Sequence, residues 1–433
     1  MVFRAAAAAV RITPAFDVEL AGYGPYLGRR KEGVHDDLWA RSVVLDAGDQ
    51  VIALVSCDLI GIPNGLSERI EHRVSSALQR TCHVVLCATH THSGPATVRM
   101  LGWGEVHPEY VGHLETALVR VVREAAVAVR PAKLRYSVGA IGGLAYNRER
   151  PDGAVDGSVY ALWVDSLEGP PLAVIYGFGC HAVVLRDDNR LISADFPGVA
   201  SHRIANEVGG TCQALFVQAP CGDVDPIPPT QSFEVVRTLG EKLATAVLSL
   251  RDRARLLEPV LAFQNLQVEL PVDIPDRSRL EGLRGGDPDA LKAEETVRVR
   301  HLDLDYGAIH RSLRADMQQR WWRLFREWAA AVSEISSDIV RAPLAGLRIA
   351  DLKLLALPCE MYVELALELR RVEPVPWLVT CAQGYVGYVP DKLAYDRAEY
   401  PAVLTPLICG QPPFKSSVGA LMLSRLTDIL RRL

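Results

Sequence analysis

Short runs of apolar and β-branched residues recur along this 433-residue chain, separated by segments with four-residue apolar spacing. The runs VIALVSCDL, HVVLCATH, LAVIYGFGCHAVV, ALFVQAP and LKLLALP have the length and residue types of buried strands. Leu66, Ile70, Val74 and Leu78 recur every four residues. Tyr110, Leu114 and Leu118 with Val121, and later Leu239, Leu243 and Val247 with Leu250, do the same. Such spacing lines one face of a helix, and strands alternating with one-faced helices predict an α/β architecture. The expected fold is a single large domain over 1–433, with mixed β-sheets flanked by helices.

Two departures from that rhythm are expected. Over 270–295 the chain is polar and rich in Gly, Pro and Asp, which predicts a surface excursion. An aromatic helix is expected over 310–335, where Trp321, Trp322, Phe325 and Trp328 form a stripe suited to core packing.

A long-range echo divides the chain into two loosely similar halves. ALVSCDL, a helix and VVLCATHTHSGP resemble LALPCEM, a helix and LVTCAQGYVGYVP. In each, a strand ends in Cys plus a carboxylate, Cys57-Asp58 or Cys359-Glu360, and a second strand ends in Cys-Ala and a polar loop. Open α/β sheets bind ligands at the C-terminal ends of their strands. Facing halves would bring His90 and Glu360 into one cleft.

Composition narrows the partners. With 49% hydrophobic and 23% charged residues and a net charge of −5, the chain has no basic excess, so no nucleic-acid partner is expected. The opening MVFRAAAAAVRITP is short, broken by Arg11 and strand-like, so it does not read as a signal peptide. No run approaches the ~20 apolar residues of a membrane span. Nine cysteines, an odd number without CxxC spacing, read as buried thiols, and the protein is expected in the cytoplasm. A homo-oligomer is the base-rate expectation.

Strand ends also concentrate the chemistry. In CATHTHSGP, His90 and His92 are separated by one residue where a strand ends, and residues i and i+2 of an extended chain face one way. Both imidazoles can address a metal, or both can hydrogen-bond nearby backbone. GFGCHAVVL delivers His181, ISADFPG Asp195, and QAPCGDVDP Asp223 and Asp225. PCE supplies Glu360, and GYVGYVPDKLAYDRAEYP contains four tyrosines, including Tyr388 and Tyr400.

These pieces resemble the catalytic domain of the neutral/alkaline non-lysosomal ceramidases and their bacterial homologues. ITP, HDDLWARSVVL, SCDL, THTHSGP, YNR, GCHAVVL with SADFPG, GDVDP, PCE, and GYVP with YDRAEY follow the family order over nearly the whole chain. The resemblance implies one catalytic Zn²⁺ per chain, held by His90, His181, Glu360 and Tyr388. It leaves His92 free beside the metal, and it places Arg148 of YNR and Tyr400 of AEY in the active site. Two histidines and a glutamate are a familiar catalytic zinc set, and a tyrosine in fourth place leaves room for water. Bound Zn²⁺ lowers the pKa of its water from 15.7 to about 7. His92, Arg148 and Tyr400 would then donate to the oxyanion of a cleaved amide, with His92 protonating the leaving nitrogen.

The chain departs from the family pattern in two places. Many members carry GDVSP, and Asp225 replaces that serine, which removes a serine nucleophile there and favours metal-activated water. The secreted members' leader and C-terminal immunoglobulin-like domain are not expected here. Asp195 and Asp223 are either partners that orient a ligand histidine or helix caps, and Asp58 belongs with them. The implied activity is hydrolysis of a linear amide in a small-molecule or lipid-like substrate, ceramide or another N-acyl compound. Three alternatives keep part of this pattern: acyl transfer or cyclisation at the same zinc site, a TIM-barrel amidohydrolase in which both histidines of HxH bind metal, and a non-catalytic binding protein on this scaffold.

Overall fold

The computed structural model describes residues 2–227, 232–298, 314–372 and 375–433. Its centre is two sheets packed face to face. The larger runs, in spatial order, Gln213–Gln218, Ala173–Phe178, Ser158–Ser166, Arg130–Ala140, Arg4–Arg11, Trp39–Asp46, Val51–Cys57 and His83–Ala88. A short strand, Arg255–Leu257, also pairs with Arg130–Ala140. The smaller sheet orders Leu261–Pro271, Ile339–Ile349, Leu352–Ala356 and Trp377–Val379.

Alternation along the strands explains the layering, because successive side chains point to opposite faces. Val43, Leu45, Ile52 and Leu54 face the second sheet's Leu347, Leu354 and Trp377 in one core. Val44, Ala53 and Val55 face outward onto the helices Leu66–Leu78 and Pro108–Val127. The helices Asp195–Gly209 and Phe233–Leu248 cover the rest of that outer face, and Val418–Arg432 covers the smaller sheet. The result is helices, sheet, sheet, helices. Parallel and antiparallel pairs are mixed within each sheet, so the TIM-barrel reading is excluded.

The two echoing halves are both parallel strand–helix–strand units. Val51–Cys57 pairs with His83–Ala88, and Leu352–Ala356 with Trp377–Val379. They meet at their strand ends: Ala88 N–H donates to Cys381 O at 3.0 Å, and Gln383 N–H to Leu86 O at 2.8 Å. A third parallel unit, Ala173–Phe178 and Gln213–Gln218 around the helix Asp195–Gly209, delivers its strand ends to the same place.

The segment 270–295 departs from the expected surface excursion. It contains the helix Arg277–Gly285 and most of Pro288–Arg298, whose Leu280, Leu283 and Leu291 are buried against Trp321, Phe325 and Trp328. Its Gly and Pro residues punctuate helices here instead of forming one long loop. The aromatic helix itself spans Arg314–Ser333, and 310–313 lie outside the described residues. Among the described residues, no helix is long and apolar enough to cross a membrane. All nine cysteines are free, and eight are buried.

Candidate metal centre

His90 and His92 follow the strand His83–Ala88, His181 follows Ala173–Phe178, and Glu360 follows Leu352–Ala356. Three chain segments thus deliver their polar ends to one buried point. The backbone is strained there. His90 adopts φ 68, a left-handed conformation that costs a non-glycine residue on the order of 1–3 kcal/mol.

The imidazoles are held by backbone carbonyls. Ile60 O lies 2.7 Å from His90 Nδ1, Gly22 O 3.2 Å from His92 Nδ1, and Val224 O 3.2 Å from His181 Nδ1. A carbonyl only accepts, so each Nδ1 carries a proton, and each Nε2 offers its lone pair when the ring is neutral. Those lone pairs converge. His90 Nε2 and His92 Nε2 are 3.4 Å apart, and donor atoms of His90, His92 and His181 all lie within 4.8 Å of one another.

Glu360 closes the group. Its Oε2 lies 2.9 Å from His181 Nε2 and 3.3 Å from His90 Nε2, and Tyr385 Oη donates to Oε1 at 2.7 Å. Tyr388 Oη is 3.2 Å from His181 Nε2. Ligands about 2.0–2.2 Å from a tetrahedral Zn²⁺ stand ~3.3–3.5 Å from each other, close to these separations. Converging lone pairs beside a carboxylate repel unless a cation lies among them, so the donor set fits a divalent metal.

The electrostatics show the same demand for positive charge, which a proton on His90 meets as a metal ion would. Burial alone would raise Glu360, but the two imidazoles outweigh it and hold the carboxylate well below its usual range. Burial lowers His90, yet Glu360 more than compensates and raises it. His92 is pushed well below the usual histidine range, first by burial and then by its two histidine neighbours. It is therefore neutral at physiological pH.

Arg148 caps the group on its tyrosine side. It donates to Tyr388 Oη at 3.0 Å, to Gly222 O at 3.0 Å and to Asp225 Oδ1 at 3.3 Å. Its guanidinium lies 5.9 Å from the Tyr388 ring centre and 5.8 Å from that of Tyr400. The two rings meet edge to face at 6.3 Å. All seven residues singled out in the sequence therefore fall in one connected cluster. His92 is closer to the others than a free neighbour would be, since its Nε2 belongs to the three-histidine group. Its connection runs through His90, whereas Glu360 touches His90 and His181 together.

The aspartates divide by role. Asp58 Oδ2 accepts from Trp39 N–H at 2.9 Å and from Arg41 at 3.0 Å, well within the framework. Asp195 accepts from Phe196 N–H at the start of its helix and from Leu185 N–H. Asp223 accepts from Val363 N–H at 2.9 Å and from Asn147 at 2.7 Å, tying the segment after Glu360 to the YNR loop. Only Asp225 comes near a candidate ligand, 3.8 Å from His181 Nδ1. Sequence reasoning missed Tyr385 and the carbonyl of Gly22. Tyr385 was one of the four tyrosines already noted, three residues before Tyr388, but nothing in the spacing aims it at Glu360.

Comparison with known proteins places the fold in a family. Residues 6–230, just over half of the chain, match the family described as neutral/alkaline non-lysosomal ceramidase, N-terminal. That stretch contains His90, His92, Arg148 and His181, while Glu360, Tyr388 and Tyr400 lie beyond it. The chain is 26% identical over 238 residues to a neutral ceramidase of Pseudomonas aeruginosa, covering 49% of this chain and 35% of that one. It is 26% identical over 250 residues to neutral ceramidase A of Dictyostelium discoideum, covering 49% and 34%. The matched stretch spans about a third of the length of these curated relatives. In three dimensions the whole chain superposes on 75% of the crystal structure of the P. aeruginosa neutral ceramidase, with a TM-score of 0.76 at 21% identity. A structure titled as a ceramidase complexed with C2 gives a TM-score of 0.74 at 20% identity, over 100% of this chain and 76% of that one. At these identities the likeness is one of fold.

Proposed function

The chain belongs to the neutral/alkaline non-lysosomal ceramidase family, and on that premise we propose that it is a zinc-dependent hydrolase of a linear amide. His90, His181, Glu360 and Tyr388 would hold one zinc ion per chain. The observation that carries this reading is the reach of Glu360 Oε2 to both imidazoles, 2.9 Å to His181 and 3.3 Å to His90. A zinc ion held there supplies Lewis acidity, polarising a carbonyl and lowering the pKa of water to about 7.

The remaining steps belong to the protein. His92, neutral and anchored through Nδ1–H to Gly22 O, has a free Nε2 lone pair able to take a proton from water. It can return that proton to the leaving nitrogen as the C–N bond breaks. Arg148 and Tyr400 donate toward the oxygen that gains charge during attack, as donors fixed in advance in a water-poor site. Asp225 in place of a serine removes a hydroxyl nucleophile, which favours water as the attacking group. The relatives' name points to ceramide, and the proposed substrate class is a lipid-like or small N-acyl compound.

Purified protein should contain about one zinc per chain, lose amide hydrolysis on chelation and regain it with zinc. A screen over N-acyl sphingosines, N-acyl amino acids and small amides identifies the substrate, and product analysis separates free acid from acyl transfer or cyclisation. Metal-free protein whose ligand binding is indifferent to His90→Ala would overturn the reading in favour of a binding protein.

A further inference from the structure

We propose that Arg150 is a positioning residue, the centre of a buried clasp that holds Arg148, Tyr388 and Tyr400 in register. The proposal rests on the reading of the site above only for its kinetic consequence. Arg150 is 7% exposed and is engaged on both sides of its fork. It donates to Asp391 at 2.9 and 2.7 Å and to Glu399 at 2.9 and 3.1 Å. Tyr362 Oη donates to Glu399 Oε2 at 3.1 Å, and the guanidinium lies 5.5 Å from the Tyr362 ring centre.

Each member of the clasp is a near neighbour in sequence of a candidate site residue. Arg150 lies two residues beyond Arg148, Tyr362 two beyond Glu360, Asp391 three beyond Tyr388, and Glu399 immediately before Tyr400. Three segments distant in sequence are therefore pinned to one planar group. Arginine can do this because its five donors form a rigid fork, which lysine cannot reproduce.

Stability is a weak explanation for such a cluster. Two carboxylates, Glu399 buried and Asp391 half-buried, share one guanidinium, and buried ion pairs are often no better than an apolar replacement. What the arrangement secures is geometry. Arg148 must reach Tyr388 Oη at 3.0 Å while lying near both tyrosine rings. Its guanidinium can make those contacts only while the backbone two residues before Arg150 stays in register, and Arg148 N–H ties that backbone to Asp223 O at 2.8 Å. A displacement of about 1 Å in such a site can cost ~100-fold in rate.

The test uses the full chain carrying Arg150→Met, and a second variant combining Arg150→Met with Asp391→Asn and Glu399→Gln. The second removes the uncompensated buried charges, so it keeps the fold if the first does not. Both are labelled with 3-fluorotyrosine and examined by ¹⁹F NMR without metal, with Tyr388, Tyr400 and the remote Tyr136 assigned by Tyr→Phe substitution. The expected result is that Tyr388 and Tyr400 shift or broaden while Tyr136 stays in place. With the amide that wild type turns over best, kcat should fall about 100-fold with KM within about threefold. The triple variant should recover stability but not kcat, and Arg150→Lys should fall between. Unmoved Tyr388 and Tyr400 resonances, or a triple variant with wild-type kcat, would overturn the proposal. Wild type that hydrolyses no amide would refute the zinc-hydrolase reading alone, because the NMR comparison still decides the clasp.

Discussion

His181 and Glu360, 179 residues apart in sequence, meet at 2.9 Å between Nε2 and Oε2. Each is the polar end of a different strand–helix–strand unit, and neither has an apolar role at that point. Removing either should therefore unmake the metal site before it unmakes the fold. His181→Ala and Glu360→Gln are expected to lose zinc affinity by at least about 100-fold, since even partners outside the ligand set cost 10–100-fold. Circular dichroism should remain that of wild type. Metal analysis after dialysis against a weak chelator checks this, and full zinc retention in either variant removes that residue from the ligand set.

Much of this was legible because burial and periodicity are local. The helices at Leu66–Leu78 and Pro108–Val127 follow their four-residue spacing, and the echo of SCDL and PCEM corresponds to two units whose ends touch at Cys87 and Ala382. What escaped is non-local. Gly22 O reaches His92 across 70 residues, and Arg150 reaches Asp391 across 241. The segment 270–295 misled because its many polar residues coat short helices whose few leucines are buried. A stripe of two or three leucines is too brief to register as a period.

Gly22 has φ +94, and a Cβ there would lie 2.1 Å from His92 Nδ1. Gly22→Ala should swing the His92 ring away from its carbonyl anchor, because that ring is what the new methyl meets while Gly22 N–H stays tied to Trp103 O at 3.1 Å. The expected outcome is ~100-fold lower kcat with zinc still bound, and about 1–3 kcal/mol lost in stability from strain and overpacking. Loss of zinc together with activity would instead make His92 a ligand. Unchanged turnover would deny it any part in the reaction.

Asp195 supplies a pH dependence. It is buried at the start of its helix with φ 55, and burial raises its carboxyl to about 7. Asp223 is raised in the same way to about 6. An unfolded aspartate titrates near pH 3.9, so between about pH 4 and 7 the folded state holds the extra proton. Stability from this source is complete below about pH 4, declines as pH rises toward 7 and is flat above. For Asp195 the decline is at most about 4 kcal/mol. Asn keeps an acceptor for Phe196 N–H without titrating. Urea midpoints across this range should therefore fall less steeply for Asp195→Asn than for wild type, and parallel slopes would show that Asp195 is ionised throughout.

Asp225 stands where the resemblance read from the sequence expects a serine in many members, and the structure gives the aspartate a consequence. Its carboxylate lies 3.3 Å from Arg148, 3.9 Å from Arg186 and 3.8 Å from His181 Nδ1. It therefore offsets two guanidiniums beside the imidazole of a candidate metal ligand. Serine is too short and uncharged to do either. Asp225→Ser should leave uncompensated positive charge near His181, which disfavours a divalent cation and loosens Arg148 from Tyr388. Zinc affinity is expected to fall about 10–100-fold, the range for partners that tune a ligand histidine. Asp225→Asn, which keeps the shape and loses the charge, should show most of the same effect at low ionic strength and less at high salt. Competition with a chromophoric chelator measures both. Affinities unmoved in both variants would mean that Arg148 and Arg186 are neutralised elsewhere and that Asp225 is a bystander to the metal.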